Sequence, residues 1–171
     1  IFIVYTDDGI FASPDKREAG KAIDEMKQHF DMEDQGDITD YLGVSVERQP
    51  NGDLKLTQPH LIQQVIDEVK LSRRIAGKQT PAASTKILRR DEHAPPFDQR
   101  FNYRRVVGKL NFIEKSTRPD ISCATRQVAR FCEDPKAARG DAIEHAAKYL
   151  RDTSNQGVIL RPTPEKSFDV Y

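Results

Sequence analysis

Two adjacent carboxylates, Asp7 and Asp8, stand between the apolar runs Ile1-Phe2-Ile3-Val4 and Ile10-Phe11-Ala12. Thr6-Asp7-Asp8-Gly9 reads as a turn, because Asp-Gly between apolar strands is a strong hairpin signal. Neighbouring carboxylates repel each other, and holding them side by side is unfavourable unless a cation is near. Pushed out of a rigid hairpin, the pair makes a hard-oxygen site suited to Mg²⁺, which takes one or two protein carboxylates and completes its octahedron with water and substrate phosphate. Two such ions about 4 Å apart stabilise the attacking and leaving oxygens of an in-line phosphoryl displacement, the chemistry of nucleotidyl transfer. Asp-Asp-Gly is also ordinary turn chemistry, since Asp tolerates the left-handed conformation and bonds its own backbone. The three residues alone do not separate the two readings.

The elements around them follow from periodicity. Residues 1–5 read as a buried strand. Ser13-Pro14 marks a helix start, with Ser13 capping and Pro14 at the first helical position. Ala19, Ala22, Ile23, Met26 and Phe30 then recur at helical spacing up to about Phe30. Leu42, Val44 and Val46 alternate with Gly43, Ser45 and Glu47, the period of a half-buried strand. Asn51-Gly52 turns the chain back into Leu54-Lys55-Leu56-Thr57, giving a second hairpin. Leu61, Ile62, Val65, Ile66 and Val69 mark an amphipathic helix. Residues 72–99 are rich in proline and charge with little periodicity, and read as a linker between lobes. Three helices are expected after it, over about 100–115, from Pro119 to about Phe131, and over about 138–152, followed by a strand at Val158-Ile159-Leu160.

Composition sets further bounds. The 171 residues carry 27 Lys+Arg and 27 Asp+Glu, so overall basicity argues for nothing. Locally the balance is uneven: residues 1–58 carry a net −7, and residues 100–130 a net +6. An acidic front and a basic third quarter suggest surfaces with different partners. Hydrophobic residues make up 37% and charged residues 32%, the profile of a thin solvated domain or of a piece of a larger one. No apolar run approaches the roughly 20 residues of a membrane span. The start lacks a signal-peptide pattern. Cys123 and Cys132 give no disulfide framework, which favours a reducing, intracellular setting. His29, His60, His93 and His145 lack metal-ligand spacing, and there is no nucleophile elbow, phosphate-binding glycine loop or His-Glu-x-x-His helix. Both ends are strand-like and the first residue is not Met, as expected of a segment cut from a polyprotein.

Tyr5-Thr6-Asp7-Asp8 resembles the Tyr-x-Asp-Asp box of reverse transcriptases, and the residues after it are similar, in order, to the copia-type retrotransposon branch. The series runs through Phe30-Asp31-Met32, Asp34-Gln35-Gly36, Tyr41-Leu42-Gly43-Val44 and Gly52-Asp53-Leu54-Lys55-Leu56-Thr57-Gln58. It continues in Lys78-Gln79-Thr80-Pro81, Tyr103-Arg104, Val107-Gly108-Lys109-Leu110, Thr117-Arg118-Pro119-Asp120-Ile121 and Tyr149-Leu150-Arg151-Asp152-Thr153. One such box is a weak signal, whereas the ordered series is a strong one and covers essentially the whole chain.

The resemblance implies an α+β fold: palm hairpins with a packed helix, then a mostly helical thumb lobe, together a partial reverse-transcriptase fold. Its parts would be the C-terminal palm at 1–58, a helix and linker at 59–99, the thumb at 100–154, and at 155–171 the start of a connection toward RNase H. It implies an RNA-directed DNA polymerase using two Mg²⁺ ions. Asp7 and Asp8 would be two of its three catalytic carboxylates, and the third lies upstream of this chain. Tyr5 and Thr6 would lie near the primer end and the incoming deoxynucleotide triphosphate. Tyr41, Leu42 and Gly43 would grip the primer strand, with Gly43 allowing close backbone approach, although by itself this glycine reads as a bulge or packing position.

The helix from about Phe101 to Lys115 resembles one that tracks the template–primer. Arg104, Gly108 and Phe112 share one helical face at i, i+4 and i+8. Arg105, Lys109, Lys115 and Arg118 would add sequence-independent attraction to phosphate. The bland reading has Gly108 and Phe112 packing on the next helix. Partners would be an RNA or DNA template with primer and the remaining palm, fingers and RNase H parts, with no membrane, in a cytoplasmic particle or the nucleus. Four positions depart from the family pattern: Thr6 replaces an apolar residue, Arg139-Gly140 a His-Trp pair, and Asp152 a glycine. The alternative is a catalytically inactive remnant that binds nucleic acid, and a two-metal nuclease is a third reading.

Overall fold

In the computed structural model the described residues are 1–72, 76–84 and 87–161. They form a mixed α+β architecture that divides into two compact units, Ile1–Tyr41 and Leu42 onward. The division falls earlier than the expected boundary at residue 58.

The first unit opens with β1 (Phe2–Tyr5) and β2 (Asp8–Phe11), an antiparallel pair in the register Phe2↔Phe11, Ile3↔Ile10, Val4↔Gly9 and Tyr5↔Asp8. The turn is therefore the two residues Thr6 and Asp7, and Gly9 lies within the strand. A Cβ at Gly9 would come within 2.8 Å of the Phe2 ring, which stacks on Phe11 at 4.2 Å. So this glycine serves a cross-strand aromatic pair and not the turn. The expectation of a buried strand fails: Ile3, Val4 and Tyr5 are 53–59% exposed. Two strands alone cannot cover both faces of an apolar ribbon.

Helix α1 (Lys16–Lys27) begins two residues later than expected, with Asp15 accepting from the Arg17 N–H at 2.8 Å. A carboxylate at that position also complements the helix dipole. The apolar stripe of α1 is half-buried at best, and none of its residues is buried. The unit ends in the short strand β3 (Asp40–Tyr41).

The second unit starts at a turn. Leu42 and Gly43 have φ of +51° and +74°, the paired positive values of a type I′ hairpin turn. The strand expected from Leu42 therefore begins only at Val44. Strands β4 (Val44–Arg48), β5 (Leu54–Thr57) and β6 (Val158–Leu160) are antiparallel neighbours in that order. Four of the helices belong here: α2 (Pro59–Glu68), α3 (Tyr103–Ser116), α4 (Ser122–Ala129) and α5 (Ala137–Asp152). A 3-10 turn over Pro119–Ile121 bends the chain between α3 and α4.

The helices enclose the core. Val65, Val106, Leu110, Ile113, Ile121, Ile143 and Leu150 are fully buried, each contributing roughly 1.5–3 kcal/mol relative to exposure. The helical spacing of these residues marked the apolar face of each helix.

Residues 76–84 and 87–99 are not a free linker. The Leu88 N–H donates to Gln127 Oε1 at 3.0 Å, Arg139 donates to the Arg89 carbonyl, and the Phe97 and Ala137 amides bond the Pro135 and Pro95 carbonyls. His145 Nε2 lies 3.0 Å from the Thr80 carbonyl. Proline and charge removed helical periodicity from this segment without freeing it from the helices it crosses. The expected connection beyond 161, including Phe168–Tyr171, lies outside the described residues.

Candidate functional site

The two-residue turn presents Asp7, and Asp8 opens β2 opposite Tyr5; Tyr5, Thr6, Asp7 and Asp8 are all exposed. Thr6 takes a φ of +48°. A β-branched residue is a true outlier there, held by the strand pairing on either side. Two hard-oxygen donors on a rigid tip suit Mg²⁺, which asks for one or two protein carboxylates. Among the described residues no group of three or more His, Cys, Asp or Glu side chains gathers to hold a metal.

At the second turn the backbone around Gly43 is open, with nothing within 4 Å of where a Cβ would stand. The positive φ at Leu42 and Gly43 makes a tight corner, not a bulge. Tyr41 sits beside it with its hydroxyl enclosed and without a hydrogen bond among the described residues.

On α3, Asn102 caps the first turn by accepting from the Arg105 N–H. Arg104, Gly108 and Phe112 lie on the solvent face, as their spacing requires. Phe112 is 46% exposed and no atom lies within 4 Å of a Cβ on Gly108. Packing of this pair against the next helix is therefore not what occurs. Arg104 Nε donates to the Cys132 carbonyl at 2.9 Å, and Lys115 is exposed. Lys109 and Arg105 turn toward α2, where Glu68 receives them at 3.2 and 3.5 Å.

Arg118 departs from its expected role. Only 1% of its side chain is exposed, and its guanidinium forks onto Asp120 at 2.8 and 2.9 Å while also donating to the backbone and hydroxyl oxygens of Thr153. Tyr149 donates to the same Asp120 at 2.7 Å. Burial alone would raise the Asp120 carboxyl. The Arg118 and Tyr149 hydrogen bonds and the Arg118 charge outweigh it and hold the group below the usual carboxylate range. Arg118 thus locks the α3–α4 corner to the end of α5, and it joins two boxes that are 30 residues apart in sequence. Nothing in the spacing of either box signals that they meet.

The Arg139-Gly140 departure is accommodated. Arg139 lies over the Phe131 ring at 4.5 Å, and Gly140 leaves room for Phe97, whose ring carbon would be 2.4 Å from an added Cβ.

Residues 1–84, which carry both turns, match the family model described as reverse transcriptase (RNA-dependent DNA polymerase). That match spans 84 of the 171 residues. Over nearly its whole length the chain is similar to retrotransposon proteins. It is 26% identical over 168 residues to a putative transposon Ty5-1 protein of Saccharomyces cerevisiae, covering 98% of this chain and 54% of that protein. It is 25% identical over 171 residues to the retrovirus-related Pol polyprotein from transposon RE1 of Arabidopsis thaliana, and 28% over 160 residues to that from transposon TNT 1-94 of Nicotiana tabacum. Those matches cover 99% and 90% of this chain but 11% and 12% of the polyproteins. The chain therefore spans about half of the first relative and about a ninth of the others. No solved structure matches. The chain is thus similar to a reverse-transcriptase-like segment of retrotransposon Pol polyproteins. None of the helices among the described residues is long and apolar enough to cross a membrane.

Proposed function

We propose that this chain is the C-terminal palm and the thumb of an RNA-directed DNA polymerase, in which Asp7 and Asp8 support attack of a primer 3′-hydroxyl on the α-phosphate of a deoxynucleotide triphosphate. The observation that carries the reading is the tandem carboxylate where an exposed two-residue turn runs into β2, within the family match. Asp7 and Asp8 would hold Mg²⁺, which supplies charge stabilisation at the attacking and leaving oxygens; a third carboxylate would come from the longer polyprotein. Tyr5 and Thr6 flank the carboxylates and would position the primer end. The open corner at Tyr41, Leu42 and Gly43 would let a sugar–phosphate backbone approach closely. The exposed face of α3, with Arg104, Gly108, Phe112 and Lys115, would lie along the template–primer, with Arg105 and Lys109 at its border.

The test uses the complete polyprotein enzyme. Asp7→Asn and Asp8→Asn should each abolish primer extension while template–primer affinity stays close to that of the parent. Near-normal extension by both variants would remove the assignment.

The second reading, a remnant that binds nucleic acid without catalysis, draws on the α3 face alone. Loss of salt-dependent binding without any extension in the parent polyprotein would leave neither reading, whereas binding without extension would favour this one.

A further inference from the structure

Ser13 stands outside the helix it was expected to cap. Asp15 takes that place, and α1 starts only at Lys16. The residues from Ala12 to Asp15 join the end of β2 to α1, and all of them are exposed. Ser13 Oγ accepts from the Asp15 N–H at 3.2 Å. Pro14 biases Ser13 toward extended backbone, because the proline ring disfavours the helical region for the residue before it.

Freed from capping, the order Ser13-Pro14-Asp15-Lys16 has another chemistry. It offers a primary hydroxyl, then a residue with no N–H, then a cation at the third position. A proline after the acceptor brings no amide that would be left unpaired in an enzyme cleft. Protein kinases distinguish substrates by the charges around the acceptor. The Lys16 side chain is 86% exposed, and its partner Asp37, at 3.2 Å, is 77% exposed. Exposed pairs of this kind contribute little, so the ammonium is open to exchange its partner. No residue from Ile1 to Tyr41 is buried, so opening the ends of β2 and α1 to seat this segment in a cleft breaks no core packing.

Thr80-Pro81 supplies the contrast. The Thr80 hydroxyl donates to the Ala82 carbonyl at 2.9 Å, and the Thr80 carbonyl lies 3.0 Å from His145 Nε2 on α5. Its third position is Ala83, without charge. The same dipeptide is thus tied down in the packed unit and lacks the cation. Thr163-Pro164-Glu165-Lys166 repeats the favourable order but lies outside the described residues.

We propose that Ser13 is a phosphorylation site for a proline-directed protein kinase, with Pro14 and Lys16 as the residues that recognition reads. Ser13 Oγ attacks the γ-phosphorus of ATP, the bond from that phosphorus to the bridging oxygen breaks, ADP leaves, and the hydroxyl proton passes to a kinase carboxylate. The proposal does not depend on the polymerase reading.

The test incubates the full 171-residue chain with a purified cyclin-dependent kinase and Mg-ATP, and maps phosphate by mass spectrometry. Phosphate is expected on Ser13 and not on Thr80. Ser13→Ala should abolish the label on that peptide. Pro14→Ala and Lys16→Ala should each slow labelling of Ser13 about tenfold, as for one unpaired N–H or one lost charge-assisted contact in the cleft. All three side chains are exposed, and circular dichroism checks that the variants keep the fold. An unlabelled Ser13 in the parent chain, including label confined to Thr163, overturns the proposal. Equal labelling of Thr80 and Ser13 overturns the argument from exposure and charge. Unchanged rates in Pro14→Ala and Lys16→Ala overturn the assigned kinase class.

Discussion

The unit ending at Tyr41 and the unit beginning at Leu42 solve different problems. The first contains no buried residue: its hairpin is apolar on both faces and its helix has a stripe that is half-covered at best. The second buries an aliphatic and aromatic core among four helices and ties its crossing segment down by hydrogen bonds. The carboxylate pair belongs to the first unit, and the basic face to the second. Rigidity at Asp7 and Asp8 thus comes from strand pairing around a two-residue turn, whereas rigidity at α3 comes from packing beneath it. Local hydrogen bonds position the acid pair cheaply, but they leave apolar strands open to water.

The largest test of that contrast is truncation in each unit. Leu110→Ala, at a fully buried site, should cost about 2–5 kcal/mol in denaturant unfolding. Val4→Ala, more than half exposed, should stay within about 0.5 kcal/mol. Equal costs would break the comparison.

Two glycines sharpen it with opposite signs. Gly140→Ala forces a methyl into Phe97 and should destabilise the second unit by about 1–3 kcal/mol. Gly20, in the interior of α1, has nothing within 4 Å of its Cβ position. Gly20→Ala should stabilise that helix by about 0.5–1 kcal/mol, through the lower backbone entropy of its unfolded state. Thermal melts followed by circular dichroism read both; a shift of the same sign in both would count against the packing difference.

The smallest effect is acid sensitivity confined to the second unit. Asp120 in the folded chain sits below its ordinary range, so its contribution is full above the unfolded value of about 4 and is lost as pH falls through the lower folded value. Asp120→Asn should flatten the fall in stability below about pH 4. An unchanged acid profile would show that the Arg118 lock does not bear on stability.

Much of this was legible in the residues. Helical spacing placed α2, α3 and α5 to within a few residues, since an amphipathic stripe is written at every third and fourth position and needs no distant partner. The exposed trio Arg104, Gly108 and Phe112 followed from that same period. The first turn was less legible: Asp-Gly suggested that Gly9 belonged to the turn, but the Phe2–Phe11 stack fixed a register that puts Thr6 and Asp7 there instead. Leu42 was read as strand by alternation, because a two-residue period cannot reveal a backbone that reverses at a positive φ. Arg118 looked like Arg105, Lys109 and Lys115, since charge in a sequence carries no burial.

By itself, then, the sequence determined the order of elements, the tandem carboxylate and the resemblance of residues 1–84 to reverse transcriptases, because these depend on residue type and short-range spacing. Only the tertiary structure decided how each basic side chain is engaged. Arg118 is consumed by Asp120 and Thr153, Lys109 is turned to Glu68, and Arg126 is held on the buried Glu114. Each outcome depends on a partner brought from another element or across a sharp corner. Such meetings are set by how helices pack, a property of the folded chain that no local pattern encodes.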